Sequence, residues 1–186
     1  MKAVRLGYTA QRGFTVIELI IVVAIIALLS IPLATQYRKW QDANTVKEWT
    51  EMTRDLVIAV QSKYSTQPFS TRYAGLTTAK IENELPSGMA LTSGSILLPW
   101  GGNITVSPSG ITGGTGNIAA RFALTDLPQS VCKSLIRNLE GLAPVVLNAG
   151  GSVIKNTNSN DLLTADEIDA TCTTNVGSND FSLVVQ

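Results

Sequence analysis

Gly13-Phe14-Thr15-Val16-Ile17-Glu18 begins the stretch that decides the fold, and a continuous apolar run from Leu19 to Ala34 follows it. Within that run Ser30 is the only polar residue. As an α-helix, residues 14–34 would extend about 30 Å, which matches the hydrocarbon core of a bilayer. The sequence therefore predicts a helix of membrane length, and it follows a segment whose charged residues are all basic: Lys2, Arg5 and Arg12.

Glu18 is the anomaly of this helix, because it places a carboxylate in apolar surroundings. A charge there costs about 2.5–3.5 kcal/mol at the centre of a membrane and less near its edge. An acid in such a place is a candidate functional residue that needs a partner. The alternative is that Glu18 marks the membrane edge and its side chain reaches water.

Two common kinds of segment are possible explanations of this apolar stretch. The first is a secretory signal peptide, which would be cut after small residues such as Ala34. The length of the apolar run and the early position of Glu18 argue against it. The second is a single-pass anchor, which explains the hydrophobicity and leaves Glu18 unexplained.

The residues from Gly13 to Glu18, after a short basic leader, resemble the signature of type IV prepilins. The resemblance implies that residues 1–13 are a leader peptide, removed by prepilin peptidase between Gly13 and Phe14. It implies N-methylation of Phe14 and an assembly role for Phe14 and Glu18, in which the acid pairs with the terminal amine of a neighbouring subunit. Paired in this way, each charge would offset the desolvation of the other.

A helical pattern continues beyond the apolar run. Apolar residues recur at steps of three and four or their multiples, which indicates an amphipathic helix: Tyr37, Trp40, Val46, Trp49, Met52, Leu56, Val60 and Tyr64. We therefore expect one helix over residues 14–65, with 14–34 as the transmembrane segment and later fibre core, and 35–65 as an amphipathic part. Pro32 removes one backbone donor and should kink the helix or melt it locally.

Residues 66–186 are predicted to form one globular head with short strands and loops. Strands are predicted at 95–98, 104–106, around 122–124, at 145–147, 152–154 and 181–185, the last as a central strand. Further helices are predicted from Thr78 as a cap to about Leu85, from Thr125 or Asp126, and from a capping box at Thr164 and Glu167. The fold class is α+β: a long N-terminal helix packed on an antiparallel sheet.

Two cysteines, Cys132 and Cys172, are the complete cysteine content of the chain. In an exported protein such a pair predicts one disulfide, whereas the alternative is a pair of buried free thiols. The bond would close a loop of about 40 residues and stabilise the head by about 4 kcal/mol.

Three segments of the head resemble type IVb pilins: Leu85-Pro86-x-Gly88-Met89, Pro99-Trp100-Gly101-Gly102 and Cys132-Lys133-x-Leu135-Ile136. Conjugative-plasmid thin-pilus, toxin-coregulated and bundle-forming pilins are the similar groups. The resemblance implies a major pilin that starts in the bacterial inner membrane, meets the pilus assembly machinery and polymerises with identical subunits. The extracellular fibre would serve adhesion, aggregation or mating-pair contact with an unknown cell-surface receptor. A pseudopilin or minor pilin of a type II secretion or pilus system is the alternative.

Composition argues against the other functional classes. The net charge is zero, so nucleic acid is not expected as a partner. The chain has no histidine, and neither a metal-ligand cysteine spacing nor a nucleophile elbow is present. A calcium loop is not expected either, because the head acids lack EF-hand spacing: Asp161, Asp166, Glu167 and Asp169. We therefore expect no catalytic residues, no metal and no cofactor.

Overall fold

The computed structural model describes residues 15–112, 115–143, 145–148, 151–155, 162–173 and 179–186. The chain divides into two compact units, Met1–Asp42 and Ala43–Gln186, which are taken separately below.

Helix α1 spans Val16–Tyr64 and contains 49 residues, so the predicted long N-terminal helix is confirmed. It begins in the first unit and ends in the second. The helix continues through Pro32, so local melting does not occur there. A proline interrupts only the ladder bond that its missing N–H would have made, and the neighbouring bonds can hold the helical path.

In the second unit, the predicted apolar stripe of α1 faces the core. The stripe residues Val46, Trp49, Leu56, Val60 and Tyr64 are buried, and Met52 is half-buried. The two stripe residues in the first unit differ, since Tyr37 and Trp40 are exposed.

Among the described residues, seven strands form one antiparallel sheet in the order β1-β2-β3-β4-β7-β5-β6. Their bounds are β1 Leu91–Thr92, β2 Ser95–Leu97, β3 Asn103–Ser109, β4 Ala119–Thr125, β5 Val145–Asn148, β6 Val153–Lys155 and β7 Phe181–Val185. The prediction of a central C-terminal strand is confirmed, because β7 pairs with β4 on one side and β5 on the other. All five residues of β7 are buried, which fits a short apolar run covered on both faces.

The longest ladder joins β3 to β4, from the pair Asn103–Thr125 to the pair Ser109–Ala119. Strands β3 and β4 therefore form a hairpin, and residues 110–118 connect them in sequence. The alternating residues Ile104 and Val106 of β3 and Phe122 and Leu124 of β4 face the core. Side chains of α1 fill the same core, so the second half of the helix packs on the sheet.

The shorter helices differ from the predictions made from the sequence in two places. Helix α2 spans Gln129–Leu139, with Pro128 as its N-cap, and so begins later than predicted. Asp126 has φ 57°, and its N–H donates to Asp180 Oδ1 at 2.8 Å, so the residue lies in the left-handed region and cannot start the helix.

Thr78 lies in a 3₁₀ helix, Thr78–Glu84, and does not cap it. Its hydroxyl accepts instead from the backbone N–H of Val106 at 2.9 Å. A second 3₁₀ turn spans Phe69–Thr71. Helix α3 spans Ala165–Thr171 and starts with the predicted capping box.

Candidate functional site

The apolar half of α1, which we define as residues 16–28, exposes large hydrophobic side chains all round the helix. Their exposed fractions lie between 47% and 79%, at Val16, Ile17, Leu19, Ile20, Ile21, Val22, Val23, Ile25, Ile26 and Leu28. A helix that is apolar on every side is normally buried in a protein core or a membrane. This half of α1 therefore needs a partner that covers it.

Glu18 lies in the first turn of α1, and its side chain is exposed within this apolar surface. Its backbone N–H donates to Thr15 O at 3.1 Å and to Thr15 Oγ1 at 3.3 Å, so Thr15 caps the first turn. A carboxylate near a helix N-terminus is stabilised by the helix dipole. Among the described residues, no cation lies within ion-pair distance of Glu18.

Gly13 and Phe14, the predicted cleavage and methylation residues, lie outside the described residues. Within the part of the chain that is described, no helix meets the length and hydropathy that a membrane span requires. The transmembrane assignment of 14–34 stays a prediction.

Cys132 and Cys172 form the predicted disulfide, with their Cα atoms 5.8 Å apart. Both residues are fully buried. The bond joins α2 to the residue that follows α3, and two more contacts join the same elements. Lys133 Nζ lies 2.7 Å from Asp169 Oδ1, and Gln129 Nε2 donates to Cys172 O at 3.2 Å. The disulfide therefore fixes one end of a region that includes β5, β6 and α3.

Glu140 is a residue of this region that the sequence did not single out. The residue is only 6% exposed, and its Oε2 accepts from the N–H of Leu163 at 2.9 Å. Its backbone oxygen accepts from Lys155 Nζ at 2.7 Å. Glu140 thus ties the end of α2 to two later segments of the head. A glutamate one residue beyond a helix has no local pattern that could have marked it.

Two of the head acids considered for calcium, Glu167 and Asp169, make contacts within the protein. Glu167 accepts from the backbone N–H and the hydroxyl of Thr164, each at 2.8 Å, and these bonds lower the pKa of Glu167. Asp169 pairs with Lys133, and Asp161 is outside the described residues. No group of three or more metal-binding side chains occurs among the residues described.

Family comparison places most of the chain in a known group. The PilS N-terminal family model matches residues 39–186, and the prokaryotic N-terminal methylation motif matches residues 8–34. The first match begins and the second ends inside α1, and residues 35–38 of that helix lie between them. A search of curated proteins finds no match.

Two solved structures match this chain in a structural comparison. The crystal structure of the type IVb pilin from Salmonella typhi matches with a TM-score of 0.53 and 19% identity, over 72% of this chain and 95% of that one. TcpA, a type IV pilin from Vibrio cholerae El Tor biotype, gives a TM-score of 0.49 and 15% identity, over 76% and 98% of the two chains. At such identity the first match shows the fold alone.

Proposed function

The chain belongs to the PilS family of type IV pilins, and on that premise we propose that it is the major subunit of a type IVb-like pilus. Its methylation motif implies processing by prepilin peptidase and polymerisation into a surface pilus after a membrane-anchored precursor stage. The family consists of structural subunits, so the chain is not an enzyme.

The observation that carries the proposal is the uncovered apolar half of α1. Burying apolar surface is worth about 25 cal/mol per Å², and every turn of this segment offers such surface. Once the subunit leaves the membrane, the same surface on identical copies is the partner that removes it from water. Contacts between different patches of identical copies produce a fibre where the rotation from one copy to the next does not close a ring.

In this proposal, Glu18 pairs specifically with the amino terminus of a neighbouring subunit. Cleavage after Gly13 would create a new amino terminus at Phe14, which is then methylated and remains a cation. Pairing this cation with Glu18 of a neighbouring subunit stabilises both charges in an apolar fibre core. An acid without that partner would oppose assembly, because a buried unpaired charge is costly.

The globular head, residues 66–186 with the packed end of α1, would form the fibre exterior. The buried disulfide, the Lys133–Asp169 pair and Glu140 support this role, since they join α2 to later segments of the head and hold them in place. Adhesion, aggregation and mating-pair contact are the uses that such a fibre would serve.

The test is the intact mass and N-terminal sequence of protein sheared from the cell surface. We expect an abundant fibre whose subunit starts at Phe14, carries one methyl group and contains one disulfide. A subunit starting near Thr35 would contradict the proposal, because it would show removal of an ordinary signal peptide. A correctly processed chain found only in trace amounts would favour the pseudopilin or minor-pilin alternative.

A further inference from the structure

The sheet of the head has a second face, opposite to the one that shares its core with α1. Successive residues of a strand point to alternate faces, so the neighbours of the core residues Val106 and Phe122 point away from α1. The ladders place the following residues on this outward face: Thr105 and Ser107 of β3, Ala119, Arg121 and Ala123 of β4, Ser182 and Val184 of β7, and Val145 and Leu147 of β5. Among these residues Arg121 alone carries a charge.

The outward face has a closed half and an open half. Over β5 and β7, the outward apolar residues are fully buried, Val184 among them. Over β3, Thr105 and Ser107 are exposed. Arg121 lies on the boundary between the two halves, because β4 pairs with β3 on one side and with β7 on the other. A partner that approaches the open half therefore meets Arg121 at its edge.

Arg121 has an unused hydrogen-bond donor. Its Nε is buried and has no partner among the described residues, and none of their carboxylates lies within ion-pair distance of the guanidinium. Asp180, the residue before β7, already accepts from the backbone N–H of Asp126 at 2.8 Å. Because a buried donor without an acceptor is costly, an acceptor supplied by a partner would stabilise the complex.

Ser107 lies directly opposite Arg121 in the ladder that joins β3 to β4. The Cβ atoms of opposite residues are about 4.5–5.5 Å apart, so the hydroxyl of Ser107 and the guanidinium can both donate to one anion. A guanidinium presents parallel N–H groups that match the two oxygens of a carboxylate, and such charge-assisted bonds are strong. The two side chains therefore fit a carboxylate.

We propose that the open half of the outward face is a docking site for an acidic segment of a partner protein, in which Arg121 and Ser107 bind a glutamate or aspartate side chain. The charges are complementary, because the one cation among the outward residues is surrounded by small, hydroxylated and aliphatic side chains. The inference goes beyond the proposed function and does not depend on it, since the docking site lies within one head.

The composition of the face favours a peptide over an acidic sugar. The outward residues named above include no aromatic side chain on which a sugar ring could stack. The residues two positions from Arg121 along β4 are both alanine, Ala119 and Ala123. Their small side chains leave a low surface, which an extended protein segment can approach closely while its acid reaches the guanidinium.

Fluorescence anisotropy with labelled poly-L-glutamate tests the docking site on the full chain in a non-ionic detergent. Arg121→Gln should weaken binding about tenfold or more, as expected for an arginine that anchors an interface. Arg121→Lys should fall between this variant and the wild type, because it keeps the charge and loses the planar fork. Ser107→Ala should weaken binding by a smaller factor than Arg121→Gln.

Arg137→Gln is the matched control. Arg137 is exposed on α2, and its loss changes the net charge by the same amount. Wild-type affinity in Arg121→Gln would overturn the inference, and so would equal losses in Arg121→Gln and Arg137→Gln, which would show attraction by general charge alone. Labelled hyaluronan, a carboxylated polysaccharide, is the second probe. Tighter binding of hyaluronan than of poly-L-glutamate would assign the site to an acidic sugar and exclude the peptide partner.

Thermal unfolding provides an independent measurement on the same variants. Among the described residues Arg121 has no ion pair and its Nε has no acceptor, so Arg121→Gln should not lower the melting temperature without the probe. Poly-L-glutamate should raise the melting temperature of the wild type and not that of Arg121→Gln, and an equal rise in both would contradict the proposal. If Arg121→Gln does not fold, wild-type affinity in both Arg121→Lys and Ser107→Ala would overturn it. Dispersed subunits are used throughout, so the result is independent of whether the chain forms a fibre.

Discussion

Trp100 packs edge-on against Trp49, with the two ring centroids 6.4 Å apart and their planes inclined by 61°. Trp49 is a buried residue of α1, and Trp100 belongs to the turn Pro99–Gly102 between β2 and β3. Edge-to-face aromatic pairs contribute about 0.5–1.5 kcal/mol beyond the area that they bury. The contact therefore fixes a loop of the sheet against the helix on which the sheet packs.

Trp100→Ala should lower the free energy of unfolding of the head by about 2–4 kcal/mol, because it removes the ring and leaves Trp49 partly uncovered. Thermal unfolding of the full chain in detergent measures the effect. Phe69→Ala is the matched control, since Phe69 is an exposed aromatic residue of the head. A melting temperature that falls equally in both variants would contradict the role given to the pair.

Gly102→Ala should also destabilise the head, because a Cβ at residue 102 would collide with the backbone oxygen of Thr125. Strands β3 and β4 would have to separate locally, at a cost of about 1–3 kcal/mol. Gly141→Ala is the control, because open space surrounds that position, and its effect should stay within about 1 kcal/mol. Equal stability of the two variants in denaturant titration would refute the prediction.

The Cys132→Ser, Cys172→Ser double variant should lose about 4 kcal/mol of stability, since the bond closes a loop with a sequence separation of 40. Fibre yield should fall with it. Lys133→Ala cuts a partly exposed ion pair between the same elements and should cost about 1 kcal/mol or less. Normal stability and normal fibre amounts in the double variant would show that the disulfide contributes to neither head stability nor fibre yield.

The capping box gives a pH prediction for α3. The backbone N–H of Thr164, and then its hydroxyl, lower the pKa of Glu167. A lowered pKa in the folded state stabilises the fold at pH values above the ordinary glutamate pKa, and the stabilisation is lost as pH falls through the lowered value.

Thr164→Ala removes the bond that the hydroxyl donates to Glu167 Oε2 and the bond that it accepts from the Glu167 N–H, and it keeps the bond from the Thr164 N–H. The pKa of Glu167 should therefore rise but remain below its ordinary value. An NMR titration of the Glu167 side-chain carboxyl carbon checks this, with Thr173→Ala as a control outside the box. An unchanged pKa in Thr164→Ala would show that the hydroxyl contributes nothing.

Glu18→Val should leave membrane insertion intact and block or disorder assembly, because it removes the proposed partner of the Phe14 amine. Glu48→Val makes the same substitution at an exposed position of the same helix, within the head unit, and should assemble normally. Fibre recovered by shearing, compared with total pilin in the cell, measures the effect. Wild-type fibre amounts from Glu18→Val would exclude the residue from the assembly mechanism.

Predictions from local sequence patterns were correct where the residues that determine the structure lie close together in the chain. The helical period located the buried residues from Val46 to Tyr64, and the capping box located the start of α3. Predictions failed where a distant residue intervened. The side chain of Asp180 accepts a hydrogen bond from the backbone N–H of Asp126, so α2 begins later than predicted. The hydroxyl of Thr78 accepts from the backbone N–H of Val106, so Thr78 does not cap the 3₁₀ helix Thr78–Glu84.

The sequence alone determined the long helix, the α+β class, the pairing of the two cysteines and the family signature around Glu18. These features depend on composition, period and spacing along the chain. The tertiary structure decided the strand order, with β7 between β4 and β5, and it showed the burial of Glu140 and the exposure of Tyr37 and Trp40. Those features depend on which distant segments come to cover a residue, and that is a property of the packed fold.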